Sequence, residues 1–288
     1  YIAEGQRLAA VGDVQITATQ VVNRGQLESG RDEGGGLNPG STLRIDAEEL
    51  LNHGQITAHG ALAVAAQTLD NQAGILVGSQ AVDLHVTELD NRNGQVIGQK
   101  ALSLTGSNLD NRNGTLASNQ ALTLNLNGNL DNSATGLLFS KTGGLSLTAD
   151  QLNNAGGNLQ TDQGELHLSA SSLNNQSGSI QTTAGAMQLT VAEIYNRQGM
   201  LLARGGALTS NGSQLNNQQG WLQGDSLSIT ASDELNNNAG HLLATQGDAQ
   251  FNSAQAVNVA GQMLAQGNLL LSGTNLNNQD GTLGAQLI

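Results

Sequence analysis

Four carboxylates recur at one position of successive segments, where they could bind a cation. They are Asp70, Asp90, Asp110 and Asp131. Carboxylate oxygens are the ligands that Ca²⁺ prefers in proteins. Arg92 and Arg112 lie close by in sequence, however, and the glycine-rich nonapeptide of calcium-binding β-rolls is absent. We therefore interpret the aspartates as a solvated face and predict no metal site.

Histidines give no better candidate for chemistry. The five are His53, His59, His85, His167 and His241. His53 and His59 could approach each other, but the sequence gives them neither a carboxylate partner nor the helical spacing of a zinc site. His85 and His167 alternate with leucines, which places them on the outside of strands. We expect surface histidines.

Catalytic carboxylate pairs are also weakly indicated. Glycoside cleavage requires two carboxylates about 5 to 10 Å apart. Such pairs could arise by chance from Asp83 with Glu88, or from Asp46 with Glu48 and Glu49. A cleft would need several long loops, whereas the sequence offers one. With 0 cysteines, no nucleophile elbow and no phosphate loop, we predict no catalytic residue and no cofactor.

Charge excludes further classes of partner. The 288 residues carry 10 Lys plus Arg against 23 Asp plus Glu, a net charge of -13. Lys100 and Lys141 are the two lysines. Proteins that bind nucleic acid need a basic patch, so we expect no nucleic-acid partner. No apolar stretch reaches the roughly 18 residues of a membrane span, so we expect no membrane insertion.

A repeat organises the whole chain. The phrase Leu-Asp/Asn-Asn, with a few degenerate copies, recurs at intervals of 19 to 22 residues. Its final asparagines are Asn52, Asn71, Asn91, Asn111, Asn132, Asn154, Asn175, Asn196, Asn217, Asn237, Asn258 and Asn278. A further candidate, Asn23, precedes Asn52 by 29 residues. Periods of this length are typical of solenoids.

Each repeat contains short strands and tight corners. A glycine follows the asparagine, and runs such as Val82-Asp83-Leu84-His85-Val86 alternate between apolar and polar residues. Alternation of period two indicates half-buried strands, and Gly, Asn and Asp supply the left-handed or turn conformations of tight corners. We predict an all-β parallel β-helix of about 13 to 14 coils, each of roughly 20 to 21 residues. A thin interior explains why aromatics are 2% of the chain.

The repeated asparagines predict a hydrogen-bonded ladder. In each copy the leucine and the final asparagine are two residues apart, so both side chains point to the same side of a strand. Stacking then places successive amides above one another, as in the asparagine ladders of stacked strands. We expect the asparagines listed above to form this ladder, inward or at a corner.

One insertion interrupts the repeat. Residues 30–40 contain the single proline and a glycine triplet, so we predict a loop that leaves the solenoid. Loops on rigid scaffolds often bind partners, which makes Arg31, Asp32, Glu33 and Leu37 a candidate binding loop. A tolerated insertion without a partner is the alternative interpretation.

The repeat Leu-Asp/Asn-Asn-x-x-Gly-x-Leu resembles the haemagglutinin repeat of bacterial two-partner-secretion exoproteins. That group includes filamentous haemagglutinin and the exoproteins of contact-dependent growth inhibition. The resemblance is clear from Asn52 to Gly281 and weaker before Leu51. It implies a right-handed β-helix, export through an outer-membrane transporter, and a secreted or cell-surface location on a Gram-negative bacterium.

The resemblance also implies a function. Rods of this kind project adhesive or toxic modules and contact neighbouring cells, sometimes through a receptor. We expect residues 1–288 to be a single β-helical segment of a longer filament, not an enzyme, and able to associate end to end when isolated. The alternative is a β-helical module that binds or cleaves polysaccharide.

Overall fold

The computed structural model describes residues 1–286, and these residues form strands and turns without a helix. Hence no described helix is long and apolar enough to cross a membrane. The chain divides into two compact units, Tyr1–Gly143 (unit 1) and Gly144–Ile288 (unit 2). Together the units hold about 13 turns of a parallel β-solenoid, which confirms the predicted all-β architecture.

Unit 1 alternates long and short strands along the chain. Its strands are β1 (Arg7–Ala10), β2 (Val14–Asn23), β3 (Gln26–Ser29), β4 (Thr42–Asn52), β5 (Gln55–Ala58), β6 (Ala61–Asp70), β7 (Ile75–Gly78), β8 (Val82–Asp90), β9 (Gln95–Gly98), β10 (Leu102–Asp110), β11 (Thr115–Ser118), β12 (Leu122–Leu126), β13 (Asn129–Asp131) and β14 (Leu137–Ser140). The short strands stack in the order β1-β3-β5-β7-β9-β11-β14. The long strands stack separately, and all these strand pairings are parallel.

Unit 2 repeats the same plan. Its strands are β15 (Leu145–Thr148), β16 (Gln151–Asn153), β17 (Asn158–Thr161), β18 (Leu166–Asn174), β19 (Ser179–Thr182), β20 (Met187–Tyr195), β21 (Met200–Ala203), β22 (Leu208–Asn216), β23 (Trp221–Gly224), β24 (Leu227–Asn236), β25 (His241–Ala244), β26 (Ala249–Asn252), β27 (Gln255–Val257), β28 (Gln262–Ala265), β29 (Leu269–Ser272), β30 (Asn275–Asn277) and β31 (Thr282–Ala285). Its short strands stack in the order β17-β19-β21-β23-β25-β28-β31.

Each long strand bends once, so a coil has three straight segments. In the pairing of β8 with β10, for example, Val82–Val86 pair with Leu102–Gly106 and Glu88–Asp90 pair with Asn108–Asp110, while Thr87 and Ser107 between them are skipped. Side chains alternate between the interior and the outside along every segment, because successive residues of a strand face opposite ways. The register stacks like on like, as with Leu89 beside Leu109.

The interior is filled mainly by aliphatic side chains. Leucine, isoleucine and valine occupy most inward positions and are almost fully buried. One ring does enter: Phe251 is 3% exposed and stacks between Ile229 and Leu271. Each coil buries its apolar face against the next coil only, so the stability of such a stack depends on contacts between neighbours.

Candidate functional site: the asparagine ladder, its turns and the 30–40 loop

The predicted asparagines of unit 1 form one continuous hydrogen-bonded row. The members are Asn23, Asn52, Asn71, Asn91, Asn111 and Asn132, all 0% exposed. Each Nδ2 donates to Oδ1 of the asparagine one coil later, at 2.7 Å throughout. From Asn52 on, these are residues that the sequence singled out, and the row also includes Asn23.

Unit 2 carries the same row. Its members are Asn154, Asn175, Asn196, Asn217, Asn237, Asn258 and Asn278. The successive Nδ2 to Oδ1 distances lie between 2.6 and 2.8 Å. All are fully buried except Asn278 in the last coil, which is half-buried.

Each ladder amide also ties down the backbone around it. Nδ2 of Asn91 donates to the carbonyl of Gly94 in its own turn, at 3.3 Å, and to the carbonyl of Thr115 in the next coil, also at 3.3 Å. The amide thereby closes its own turn and holds the next coil in register. The Gly94 carbonyl also accepts from the backbone N–H of Thr115 at 2.9 Å, so the amide adds a second hydrogen bond at a contact between two coils.

The row has a direction, and its first acceptor is unused. All Nδ2 atoms point toward the next coil, so Oδ1 of Asn23 has no hydrogen-bond donor although the residue is fully buried. Ile2 bridges to Asn23 in parallel and occupies the ladder position of the preceding coil. An apolar side chain thus ends the ladder of unit 1.

The repeated glycine is required for space. A Cβ at Gly94 would collide with the carbonyl oxygen of Asn71 and lie 2.6 Å from Oδ1 of Asn91. The equivalent glycines of most other coils face the same two oxygens. Their backbone φ is not in the left-handed region. The sequence analysis did not distinguish this glycine from the Asn and Asp of the corners; the glycine leaves space in the turn and is not left-handed.

The left-handed conformation belongs to the residue beside that glycine, and it is usually not glycine. Ala73, Asn93 and Asn113 have φ of 54°, 55° and 56°. In unit 2 the same position includes Gln219 and Ala239, at 55° and 52°. Left-handed backbone costs most L-residues about 1–2 kcal/mol. Each turn therefore holds a small amount of strain that the ladder and the neighbouring coils outweigh.

Ala73→Gly is expected to stabilise unit 1 by about 0.5–1 kcal/mol, because glycine adopts a positive φ without steric cost. Urea unfolding followed by circular dichroism measures the change. Ala101→Gly, at a turn residue with ordinary φ, is the control and should destabilise by a similar amount. Equal losses for both variants would contradict a strained left-handed alanine.

The first Asp or Asn of the repeat closes the turn from its start. Oδ1 of Asp70 accepts from the backbone N–H of Gln72 at 2.9 Å, and Oδ1 of Asn216 accepts from Gln218 at 3.1 Å. This is the Asx-turn that both residue types form readily. The motif Leu-Asp/Asn-Asn thus specifies a core residue, a turn cap and a ladder residue in that order.

The capping aspartates line an open groove of about 650 Å³ in unit 1, and two of them pair with arginines. Nη2 of Arg92 lies 2.6 Å from Asp90, and Nη2 of Arg112 lies 2.6 Å from Asp110. Burial raises the pKa of Asp110, but hydrogen bonds and charge from Arg112 outweigh it and hold the pKa below its usual value. The arginines therefore relieve the repulsion, as the solvated-face interpretation requires.

The 30–40 segment forms a closed loop between β3 and β4. Arg31 and Leu37 form an antiparallel bridge across it. Oδ1 of Asp32 accepts from the backbone N–H of Gly36 at 2.6 Å. Leu37 is 60% exposed and Glu33 is also exposed. The four candidate residues thus share one small surface loop.

A buried carboxylate anchors this loop, and the sequence analysis missed it. Glu28, 8% exposed, accepts from Nε of Arg7 at 2.9 Å and lies 2.6 Å from Nε2 of His59. Nη1 of Arg31 is 3.5 Å from the same carboxylate. These partners come from β1, from the turn after β5 and from the loop. No sequence motif marks the cluster. Arg31 is close to Glu28 in sequence, but Arg7 and His59 are 21 and 31 residues away from it.

Glu28 should make the stability of unit 1 depend on acid pH. Burial raises the pKa of Glu28, but hydrogen bonds from His59 and Arg7 outweigh it and hold the pKa below 4.5. The folded state therefore gains stability above the unfolded pKa and loses it as pH falls through the lowered pKa. We expect Glu28→Gln to be less stable than the unmodified chain at pH about 7 and nearly equal at pH about 2.

Urea unfolding at a series of pH values measures that difference. Glu33→Gln, which removes an exposed carboxylate of the same loop, is the matched control and should show no pH-dependent difference. A gap between Glu28→Gln and the unmodified chain that stays constant from neutral to acid pH would contradict the anchoring role.

The remaining histidines and carboxylates pair with neighbours. His53 lies 3.1 Å from Asp70, and His59 pairs with Glu28 as described, so the expectation that neither has a carboxylate partner was wrong. Both partners come from neighbouring coils, which sequence proximity does not reveal. His85 and His167 are exposed on their strands. Among residues 1–286 no group of His, Asp and Glu could hold a metal ion.

Four of the five carboxylates considered for hydrolysis accept hydrogen bonds from other side chains, Glu49 from Gln20 among them. Asp46 pairs with Arg44 at 2.7 Å, Asp83 accepts from Ser103, and Glu88 accepts from Asn108. Each partner is an exposed group on the same or the adjacent strand. The ladder, in contrast, extends through successive coils of both units.

A family model of the haemagglutinin repeat matches residues 2–38, 40–89, 81–134, 126–239 and 226–287. The chain belongs to the haemagglutinin-repeat family. No curated protein and no solved structure matches it. The family consists of structural and adhesive proteins that are secreted or displayed at the cell surface.

Membership of the haemagglutinin-repeat family agrees with the geometry of the coils. The matched segments include the ladder asparagines, the turn glycines and the 30–40 loop with the exception of Pro39. The haemagglutinin repeat thus specifies the residues that make the contacts between one coil and the next.

Proposed function

We propose that this haemagglutinin-repeat chain is a structural stalk segment of a secreted cell-surface exoprotein. It would project adhesive or toxin-delivery modules and bring them into contact with neighbouring cells. The observation that carries the proposal is the asparagine ladder, which gives every coil the same connection to the next. Coils that contact only their neighbours can be added without redesigning the fold, which suits a spacer.

Export follows from the same proposal. The family context supplies an outer-membrane two-partner-secretion transporter as the partner during export. A chain with 0 cysteines can pass through a pore unfolded without a disulfide to obstruct it. We place the folded chain on the surface of a Gram-negative bacterium, with a receptor on the target cell contacted by the exoprotein.

Removing whole coils tests the stalk. In the full-length exoprotein, deletion of residues 72–91 removes one repeat of 20 residues and joins Asn71 to Arg92, so the ladder and the strand register continue. Deletion of residues 72–111 removes two repeats. We expect both variants to be exported and folded and to retain cell contact, measured by co-aggregation of producing and target cells.

The control deletion removes half a coil. Loss of residues 82–91 would break the register and should abolish folding and cell contact. If one-coil deletion abolishes contact while the protein is displayed normally, the segment itself binds the target and is not a spacer. Deleting Arg31–Asn38 in the same assay shows whether the 30–40 loop contributes to contact or is a tolerated insertion.

Polysaccharide cleavage is the activity that the proposal excludes. We expect purified protein to release no reducing ends from a panel of acidic and neutral polysaccharides. Heat-unfolded protein is the baseline for this measurement. Release above that baseline would contradict a purely structural role.

The isolated chain is also proposed to associate end to end. Leu8 and Val11 in the first coil, and Leu276 and Leu283 in the last, are exposed large apolar side chains beside edge strands. Such edges favour pairing with other chains. Light scattering should show a mass that rises with concentration, and a constant monomer mass would contradict the proposal.

A further inference from the structure

Both arginines of unit 2 and its one tryptophan lie on two adjacent coils. Residues 144–288 contain no lysine, and their two arginines are Arg197 and Arg204. The single tryptophan of the chain, Trp221, lies one coil later. The pairing of β21 with β23 places Trp221 directly beside Met200. We call Arg197, Met200, Arg204, Trp221 and His241 the aromatic platform.

The rings of the platform are held in place before any ligand arrives. The centroids of Trp221 and His241 are 4.5 Å apart with an interplanar angle of 35°. Nε1 of Trp221 donates to Oε1 of Gln223 at 3.2 Å, and Nδ1 of His241 lies 3.0 Å from Oε1 of Gln262. Two glutamine amides thus orient the two rings. Preorganised rings lose little conformational entropy when a ligand binds.

Platform side chains are exposed although they are apolar. Trp221 is 37% exposed and Met200 is 44% exposed, on the outer face of the short-strand sheet. The neighbouring outward residue, Leu202, is only 5% exposed. Leu202 is therefore covered by its neighbours, whereas Trp221 and Met200 remain accessible to solvent. Exposed apolar groups gathered in one place commonly mark a binding surface.

The two arginines of the platform lie at opposite ends of β21. Arg197 lies in the turn before β21, and Arg204 follows the last residue of β21. Both are exposed, and neither forms an ion pair among the described residues. Unit 2 otherwise carries nine acidic residues and no other formal positive side chain at neutral pH. An anionic ligand would be attracted here and repelled elsewhere on the unit.

We propose that the aromatic platform binds a carboxylate-bearing oligosaccharide. A pyranose ring presents flat C–H surfaces, which suit the part of the Trp221 indole that His241 leaves exposed. The guanidinium groups of Arg197 and Arg204 match the geometry of a carboxylate and can bind it through two parallel hydrogen bonds. Sugar hydroxyls match the amide groups of Gln223 and Gln262 at the rim. Uronic-acid polymers combine all three features in every residue.

The single tryptophan gives a direct measurement at the site. Because Trp221 is the chain's only indole, its fluorescence reports on the platform alone. Titration of the full chain with oligogalacturonate is expected to change Trp221 fluorescence in a saturable way. Neutral malto-oligosaccharides of the same length should bind at least ten times more weakly, since they offer no carboxylate to the arginines.

Variants separate the platform from general electrostatics. The double variant Arg197→Gln, Arg204→Gln is expected to weaken oligogalacturonate binding at least tenfold. Arg44→Gln removes an exposed arginine of unit 1 and is expected to leave binding unchanged. Trp221→Ala should abolish binding by titration calorimetry while the β-sheet circular dichroism is retained, because the indole is not part of the core.

Three results would overturn the proposal. The first is a flat fluorescence titration with oligogalacturonate. The second is equal binding by the double arginine variant and the unmodified chain. The third is binding of polyglutamate as tight as that of oligogalacturonate, which would show that the platform recognises acidic polypeptides instead of sugars.

Discussion

Replacing Asn111 with leucine is expected to destabilise unit 1 by on the order of 3–5 kcal/mol. The substitution removes an acceptor from Nδ2 of Asn91 and a donor from Oδ1 of Asn132, both fully buried. The backbone carbonyl of Gly114 loses one of two donors and keeps the backbone N–H of Leu137 at 2.9 Å. Each orphaned buried group costs about 1–3 kcal/mol. Urea unfolding monitored by circular dichroism measures the loss.

Asn125→Leu is the matched control for this prediction. Asn125 is exposed on the outer face of β12, so the same change of side chain removes no buried hydrogen bond there. We expect its stability to stay within about 0.5 kcal/mol of the unmodified chain. Comparable losses for both variants would mean that leucine disturbs the sheet generally and that the ladder contributes little.

Replacing Gly94 with alanine is expected to be at least as damaging, with a loss on the order of 3–5 kcal/mol. The added Cβ collides with the backbone carbonyl of Asn71 and with the amide of Asn91. Both oxygens are held by hydrogen bonds: the Asn71 carbonyl accepts from the backbone N–H of Gly74, and Oδ1 of Asn91 accepts from Nδ2 of Asn71. The ladder spacing between Asn71 and Asn91 must then lengthen, which weakens two coils at once.

Gly12→Ala distinguishes this collision from a general intolerance of substitution at turns. No atom lies within 4 Å of a Cβ at Gly12, and its φ is not left-handed. We expect a change of less than about 0.5 kcal/mol, or slight stabilisation, in thermal and urea unfolding. A Gly94→Ala protein as stable as Gly12→Ala would remove the spatial explanation for the repeated glycine.

Much of the architecture could be predicted from periodicity. Alternating residues such as Leu102-Ser103-Leu104 indicate strands on their own, and a repeat of about 20 residues then requires stacking. The ladder could also be predicted, because an asparagine recurs once in every repeat and stacking then places each asparagine on the next. One copy of the repeat would not have sufficed, since a single Leu-Asp-Asn is typical of many turns.

Contacts between non-equivalent positions could not be predicted in the same way. Glu28 meets Arg7 and His59 because a strand, a turn and a loop converge, and the repeat contains no signal for that convergence. Likewise, the sequence could not distinguish a glycine needed for φ from a glycine needed for space. Both requirements select glycine, and only the positions of Asn71 and Asn91 around Gly94 show that this glycine is needed for space.

The common direction of the ladder amides has an electrical consequence. Every ladder amide in unit 1 donates toward the next coil, so the ladder dipoles are parallel and add, much as peptide dipoles add along a helix. The end at Asn23 therefore carries partial negative charge on a buried oxygen that no donor neutralises. The row of neutral asparagines thus forms a small permanent dipole along the stack. The coils around it shield this dipole from water.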